Sequence, residues 1–142
     1  MRMPAFVFAA AALTYAPAAF AQALQVEGHY SAPAAAASAV PRVDLDVIVL
    51  DNPTGTVAAR TATAQGSCTG TVAGIGQLVG RTLTFTPYER AGTRDRCRIR
   101  VEFDAQWRHA TLRASDCGEH HGAACGWEGQ AVTKVDHPAP PR

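Results

Sequence analysis

Lysine is nearly absent from the 142-residue sequence, and neither sign of charge is in clear excess. Lys134 is the only lysine, and 12 acidic residues almost balance the 13 basic ones. A nucleic-acid-binding domain needs a basic excess to neutralise phosphates, so no nucleic acid is expected as a partner. Because 47% of the residues are hydrophobic and only 18% are charged, the composition excludes a disordered chain or a coiled coil and fits one folded domain.

The sequence also lacks the motifs by which many enzymes are recognised. It contains no activated-serine elbow, no HExxH motif and no glycine-rich phosphate loop with lysine. Asp116 and Glu119 are neighbouring acids, but two carboxylates in one loop are common in proteins without activity. We therefore predict a protein that is not an enzyme and that uses no cofactor.

The long apolar run is confined to the amino terminus. Met1-Arg2-Met3 is a short basic start, residues 4–16 are almost entirely apolar, and Ala19-Phe20-Ala21 provides an A-x-A cleavage site. This pattern is typical of a signal peptide over residues 1–21, and the apolar run is too short to span a bilayer. We predict cleavage before Gln22, which leaves a periplasmic or secreted protein without a membrane anchor.

Cysteines are few, but their number is even, which favours two disulfides in an oxidising compartment. Four cysteines allow three pairings, and the sequence alone does not choose among them. We favour Cys68–Cys97 together with Cys117–Cys125.

The rest of the chain alternates apolar and polar residues with a period of two, which predicts half-buried β-strands. About eight short strands predict an all-β domain, a small antiparallel barrel or sandwich, over residues 42–136. Residues 22–41 are predicted to form an amino-terminal strand and an Ala/Pro-rich loop, and residues 137–142 a disordered tail. The last strand is expected to run from Cys125 to Val135.

Turns are predicted where glycine interrupts the pattern. Gly74-Ile75-Gly76 predicts a turn, and Gly80 is expected at the first turn position of a tight hairpin. A further hairpin is expected around the four-residue loop 104–107. Its register pairs Val101 with Ala110, so that the apolar faces of the two strands coincide.

A row of arginines, Arg96, Arg98 and Arg100, is expected on the outer face of that hairpin. Three guanidinium groups on one face could bind carboxylate or phosphate groups of a partner. The predicted register places Arg98 opposite Arg113, which is repulsive unless an anion lies between them. An ordinary solvated face is the interpretation that we favour from the sequence, since charged edge strands also prevent aggregation.

The segment from Cys117 to Cys125 is the second candidate for binding. Two thiols and two imidazoles could bind zinc, but their spacing does not match the usual ligand pairs. His120 and His121 are adjacent and would point to opposite sides of an extended chain. We therefore predict a disulfide-closed loop without metal, in which Glu119 and the two histidines supply polar contacts.

Two tryptophans complete the set of candidates. Trp127 follows the last cysteine closely and is expected to pack on the loop and support it. Trp107 lies in the predicted hairpin loop, where it could be an exposed interface anchor or could close the end of the core.

A resemblance to known proteins is carried by a few short segments, which are Cys68-Thr69-Gly70, Gly76-Gln77-Leu78 with Leu83-Thr84-Phe85, Cys97 with Ile99 and Phe103, and Cys117 with His121-Gly122-Ala123-Ala124-Cys125-Gly126-Trp127-Glu128-Gly129. Over about residues 66–130 the chain resembles a group of small exported bacterial β-proteins, some of them named as lysozyme-inhibitor-like. The most specific part is the HGAxC motif before an aromatic-x-Gly. The serine and lysine motifs with which periplasmic c-type lysozyme inhibitors plug the enzyme cleft are absent, so no inhibitory residues are carried over.

These observations predict an exported binding module, with an inhibitor of a lysozyme-type, envelope-directed enzyme as the activity that the resemblance implies. A stiff loop would serve as its preorganised surface. Two alternatives remain open. One is a barrel that binds a metal or small ligand through His109, His120 or His121, and the other is a structural envelope protein.

Overall fold

Eight antiparallel strands form a closed barrel in the computed structural model, which describes residues 25–32 and 40–136. Each strand pairs with the next one in the chain, and β8 pairs with β1 to close the barrel. The all-β class and the strand number are confirmed. The strands are β1 (Gly28–Ser31), β2 (Arg42–Asp51), β3 (Thr56–Gln65), β4 (Cys68–Val79), β5 (Thr82–Phe85), β6 (Arg98–Phe103), β7 (His109–Ser115) and β8 (Gln130–Lys134).

The ends of the chain fall largely outside this description. The predicted signal peptide, residues 33–39 of the Ala/Pro-rich loop and the predicted tail are not among the described residues. The amino-terminal strand is present as β1. Within the described parts of the chain, no helix has the length and apolarity needed to cross a bilayer.

The interior is filled by every second residue of each strand. In β2, for example, Val43, Leu45 and Val47 are buried, whereas Asp44 and Asp46 point outward and remain partly exposed. Burying apolar side chains of this size stabilises the barrel by about 1.5–3 kcal/mol each. The largest fully buried side chains are Trp127, Tyr30, Phe85, Leu45, Leu83, Ile99 and Leu112.

One end of the barrel is closed by Trp107. Its backbone lies in the left-handed region, with φ 58°, in the loop between β6 and β7. The ring packs on Phe103 at 5.5 Å between centroids, and the Trp107 carbonyl accepts a hydrogen bond from Tyr30 Oη. With 4% of its surface exposed, Trp107 belongs to the core, not to an interface.

The predicted turn at Gly74-Ile75-Gly76 is wrong, because β4 runs straight through it for 12 residues. Gly76 is a site of close approach between β4 and β5, and Gly74 is one between β4 and the chain that follows β5. A Cβ at Gly74 would meet the Thr86 carbonyl oxygen, and a Cβ at Gly76 would meet Thr84 and Phe85. Glycine within a strand commonly marks such an approach, so here it permits pairing instead of ending it.

Of the two predicted hairpins, the one at Gly80 is confirmed, and the one between β6 and β7 has a different register. Gly80, with φ 60°, occupies the first position of the two-residue turn between β4 and β5, as expected. In the β6–β7 hairpin, however, Val101 pairs with Leu112 and not with Ala110. The difference is two residues, because the loop after Phe103 is longer than four residues. A shift of two preserves the alternation, so the apolar faces still coincide.

The favoured disulfide pairing is also wrong, although all four cysteines do form disulfides. The bonds are Cys68–Cys125 and Cys97–Cys117. Cys97 immediately precedes β6 and Cys117 follows β7, and these antiparallel neighbours bring the two Cα atoms within 4.3 Å. The last strand is shorter than expected, since it starts only at Gln130.

Candidate functional site

The segment between Cys117 and Cys125 is held at both ends, although it is not closed by its own disulfide. Cys117 fixes it to the start of β6 and Cys125 fixes it to the start of β4. Between them, a short 3-10 helix spans Gly118–His120, and His121 forms an isolated antiparallel bridge with Gly70. The segment is therefore a strap across the outside of β4.

His120 of this strap forms a hydrogen bond with a buried carboxylate. Its Nε2 lies 2.6 Å from Oδ2 of Asp95, whose side chain is 1% exposed. The same carboxylate accepts backbone hydrogen bonds from Cys97 and Ala91. The Cys97 N–H and then the Ala91 N–H are the main groups that lower the pKa of Asp95 to about 2, and His120 adds to the effect. Asp95 therefore joins the loop before β6 to the strap.

Acid is expected to release this connection. A carboxyl pKa of about 2, against 3.8 in an unfolded chain, means that Asp95 stabilises the fold above pH 3.8 and that this contribution is lost as the pH falls through about 2. In urea unfolding, Asp95→Asn should be less stable than the wild type at pH 7, and the difference should shrink between pH 4 and pH 2. The exposed Asp116→Asn is the matched control. A stability difference between the wild type and Asp95→Asn that does not change with pH would contradict the stabilising role of the Asp95 carboxylate.

The other strap residues are used in different ways. The His121 ring packs edge-on against Trp127 at 5.3 Å between centroids, and its Nδ1 lies 2.6 Å from the Gly122 carbonyl. Trp127 is fully buried, so the prediction that it packs on the loop is confirmed. Glu119 is exposed. Of the polar candidates in the strap, only Glu119 is thus wholly available to a partner.

The histidines do not converge on one point. His109 lies on β7 with its Nδ1 3.2 Å from the Thr133 hydroxyl, away from the strap. Within residues 25–32 and 40–136, no three His, Cys, Asp or Glu side chains lie together in a way that could hold a metal ion.

The arginines do converge, on the outer surface of β6 and β7. Arg100, and not Arg98, lies opposite Arg113, because of the two-residue difference in register. Arg100 forms an ion pair with Glu102 at 3.0 Å, and Arg113 forms one with Glu128 at 3.2 Å. We call Arg96, Arg98, Arg100 and Arg113 the arginine face.

Arg98 is the centre of this face. Arg96 and Arg98 are exposed, and neither has an acidic side chain within ion-pair distance among the described residues. One cavity, of about 240 Å³, is lined by Arg90, Arg96 and Arg98 together with Asp95. A second, of about 430 Å³, is lined by Arg98, Arg100 and Arg113 together with Glu128. Two neighbouring concave sites thus share one unpaired guanidinium group.

Sequence reasoning identified the arginine row but not all of its partners. Arg113 was recognised as facing the row, whereas Glu128, which pairs with Arg113 from the segment before β8, was missed. Asp95 was missed as well. A single aspartate in a polar loop leaves no sequence pattern from which its burial, or its contact with His120, could be predicted.

The chain matches no protein-family model, no curated protein and no solved structure. The resemblance to lysozyme-inhibitor-like proteins therefore stays a prediction, and the function has to be inferred from the arginine face and the strap.

Proposed function

We propose that the protein is an exported binding module that recognises an anionic partner through the arginine face. The observation that carries this proposal is the exposed Arg98, unpaired among the described residues and shared by two arginine-lined cavities. Two disulfides are typical of an oxidising compartment, which agrees with the export expected from the signal-peptide pattern.

A binding role is favoured over an ordinary solvated face by the arrangement of charge. Like charges opposite each other on neighbouring strands are destabilising, and here Arg100 lies opposite Arg113. Exposed ion pairs such as Arg100–Glu102 contribute only about 0–1 kcal/mol, so a partner could displace them at little cost. The strands hold the backbone of Arg98, Arg100 and Arg113 in place, so only side-chain freedom is lost when these arginines bind a partner.

A lysozyme-type enzyme is the partner we propose, because its catalytic cleft offers two carboxylates. In retaining glycosidases, the class to which lysozyme belongs, the two carboxylates lie about 5–5.5 Å apart. Arg98 and Arg100 are two residues apart on β6, so they leave the same face of the strand about 6.6–6.8 Å apart. Their long side chains can bring the two guanidinium groups closer together, to the separation of the two carboxylates. Guanidinium groups bind carboxylates through two parallel hydrogen bonds, which suits such a pair.

A lysis assay tests this proposal. Purified wild-type protein should slow the lysis of cell-wall substrate by a c-type lysozyme at micromolar concentration. The double variant Arg98→Glu/Arg100→Glu should weaken inhibition at least about 100-fold, since truncating or reversing a charge in a desolvated pair costs about 2–5 kcal/mol.

Arg81→Glu is the matched control for that variant. Arg81 is an exposed arginine in the turn between β4 and β5, outside the arginine face. Its variant changes the net charge in the same direction, by half as much as the double variant, and should inhibit like the wild type. Equal loss in Arg81→Glu, or no inhibition by the wild-type protein, would contradict the proposal.

A further inference from the structure

A third cavity lies on the outer surface of β4, next to the segment that joins β5 to β6. It has a volume of about 430 Å³ and is lined by Thr71, Ala73, Tyr88, Glu89 and His120. The neighbouring Arg90 lines the smaller arginine cavity instead. The consecutive residues Glu89 and Arg90 therefore line two different cavities.

His120 lines this cavity with a ring that is held in place by Asp95. Its Nε2 is bound to the buried Asp95, and no described residue hydrogen-bonds to Nδ1. When Nε2–H donates to the carboxylate, the neutral imidazole carries a lone pair on Nδ1. Because Asp95 is held in turn by two backbone N–H groups, the orientation of the ring is fixed.

The other lining groups also attract a positive charge. Glu89 is exposed and has no basic side chain within ion-pair distance among the described residues. Tyr88 is 61% exposed, so much of its ring is accessible, and an aromatic face attracts cations. Thr71 adds a hydroxyl group, and Ala73 is too small to fill the cavity. Among the residues that the structure describes, no lysine or arginine lines this cavity.

We propose that this cavity binds a primary ammonium group, of the kind found on a lysine side chain. An ammonium is a compact charge with three rotatable donors, whereas a guanidinium is a planar fork. The Glu89 carboxylate, the His120 Nδ1 and the Thr71 hydroxyl offer three separate acceptors. The Tyr88 ring supplies a surface for the cation and its alkyl chain. This site is distinct from the arginine face and does not depend on the function proposed for it.

An NMR titration tests this inference, with Nα-acetyl-lysine amide as the probe and Nα-acetyl-norleucine amide as the uncharged control. The lysine probe should shift the side-chain resonances of Tyr88 and His120 in a saturable manner at millimolar concentration, and the norleucine probe should not. Glu89→Gln should weaken lysine binding about five-fold, the effect of losing one partly exposed ion pair.

Glu119→Gln is the matched control, because Glu119 is a neighbouring exposed acid that does not line the cavity. Its variant removes the same charge and should bind the lysine probe like the wild type. Equal shifts with both probes would overturn the inference. So would the absence of saturable shifts, or unchanged affinity in the Glu89→Gln variant.

Discussion

Replacing both Cys68 and Cys125 with alanine is expected to lower the free energy of unfolding by about 4 kcal/mol. Their disulfide joins residues 57 positions apart, so it restricts the unfolded chain strongly. In the folded barrel it fixes the strap to the start of β4. The loss should be measured by urea unfolding under non-reducing conditions.

The second disulfide provides the control for this experiment. Cys97 and Cys117 are only 20 positions apart, and the same model of chain entropy gives about 3 kcal/mol for the corresponding alanine pair. Removing the Cys68–Cys125 bond should therefore lower the free energy of unfolding by more than removing the Cys97–Cys117 bond. Mass-spectrometric peptide mapping that found Cys117 bonded to Cys125 would contradict the pairing, and equal stability of the wild type and the Cys68→Ala/Cys125→Ala variant would contradict the role assigned to it.

Trp127→Ala is expected to lower the free energy of unfolding by about 3–5 kcal/mol, the usual cost of removing a large aromatic side chain from a core. Trp127 is fully buried in the hydrophobic core, and its ring supports His121 of the strap. The measurement is again urea unfolding, with the intrinsic fluorescence of the remaining Trp107 as the probe.

Trp127→Phe is the matched variant. The indole Nε1 is buried without a hydrogen-bond partner, so replacing the indole with phenyl removes a polar group whose burial is unfavourable. The phenylalanine variant should therefore lose less stability than the alanine variant. A loss below about 1 kcal/mol in Trp127→Ala would show that the side chain is not in the core, since only surface substitutions are that mild.

Much of the barrel could be predicted from the sequence, because alternation of apolar residues depends only on which side of a strand faces the core. Val43, Leu45 and Val47 illustrate this directly. Register was harder to predict. A shift of two residues in the β6–β7 hairpin leaves the alternation intact, so the apolar pattern could not distinguish Ala110 from Leu112 as the partner of Val101.

The disulfide pairing depended on that register. Cys97 and Cys117 meet because Arg98 lies opposite Ser115, a fact that the spacing of cysteines does not contain. The pairing in turn determined the shape of the strap. A loop closed by its own disulfide would leave both histidines to a partner, whereas the strap places His120 on Asp95 and His121 on Trp127.

The arginine row was visible in the sequence, but its relation to its neighbours was not. The two cavities around Arg98 arise from Arg90 in a loop and Arg113 on the adjacent strand. Three-dimensional neighbours of this kind become apparent only when the strands are placed side by side.

A double-mutant cycle tests the central claim, that the arginine face binds the carboxylates of a lysozyme-type enzyme. Binding would be measured by calorimetry for wild-type protein and Arg98→Glu/Arg100→Glu, each against a c-type lysozyme and a variant with one catalytic carboxylate replaced by its amide. The account predicts a coupling energy of about 1–3 kcal/mol between the two sets of substitutions, as expected for groups in contact. Strictly additive effects, or no binding by the wild-type protein, would contradict it.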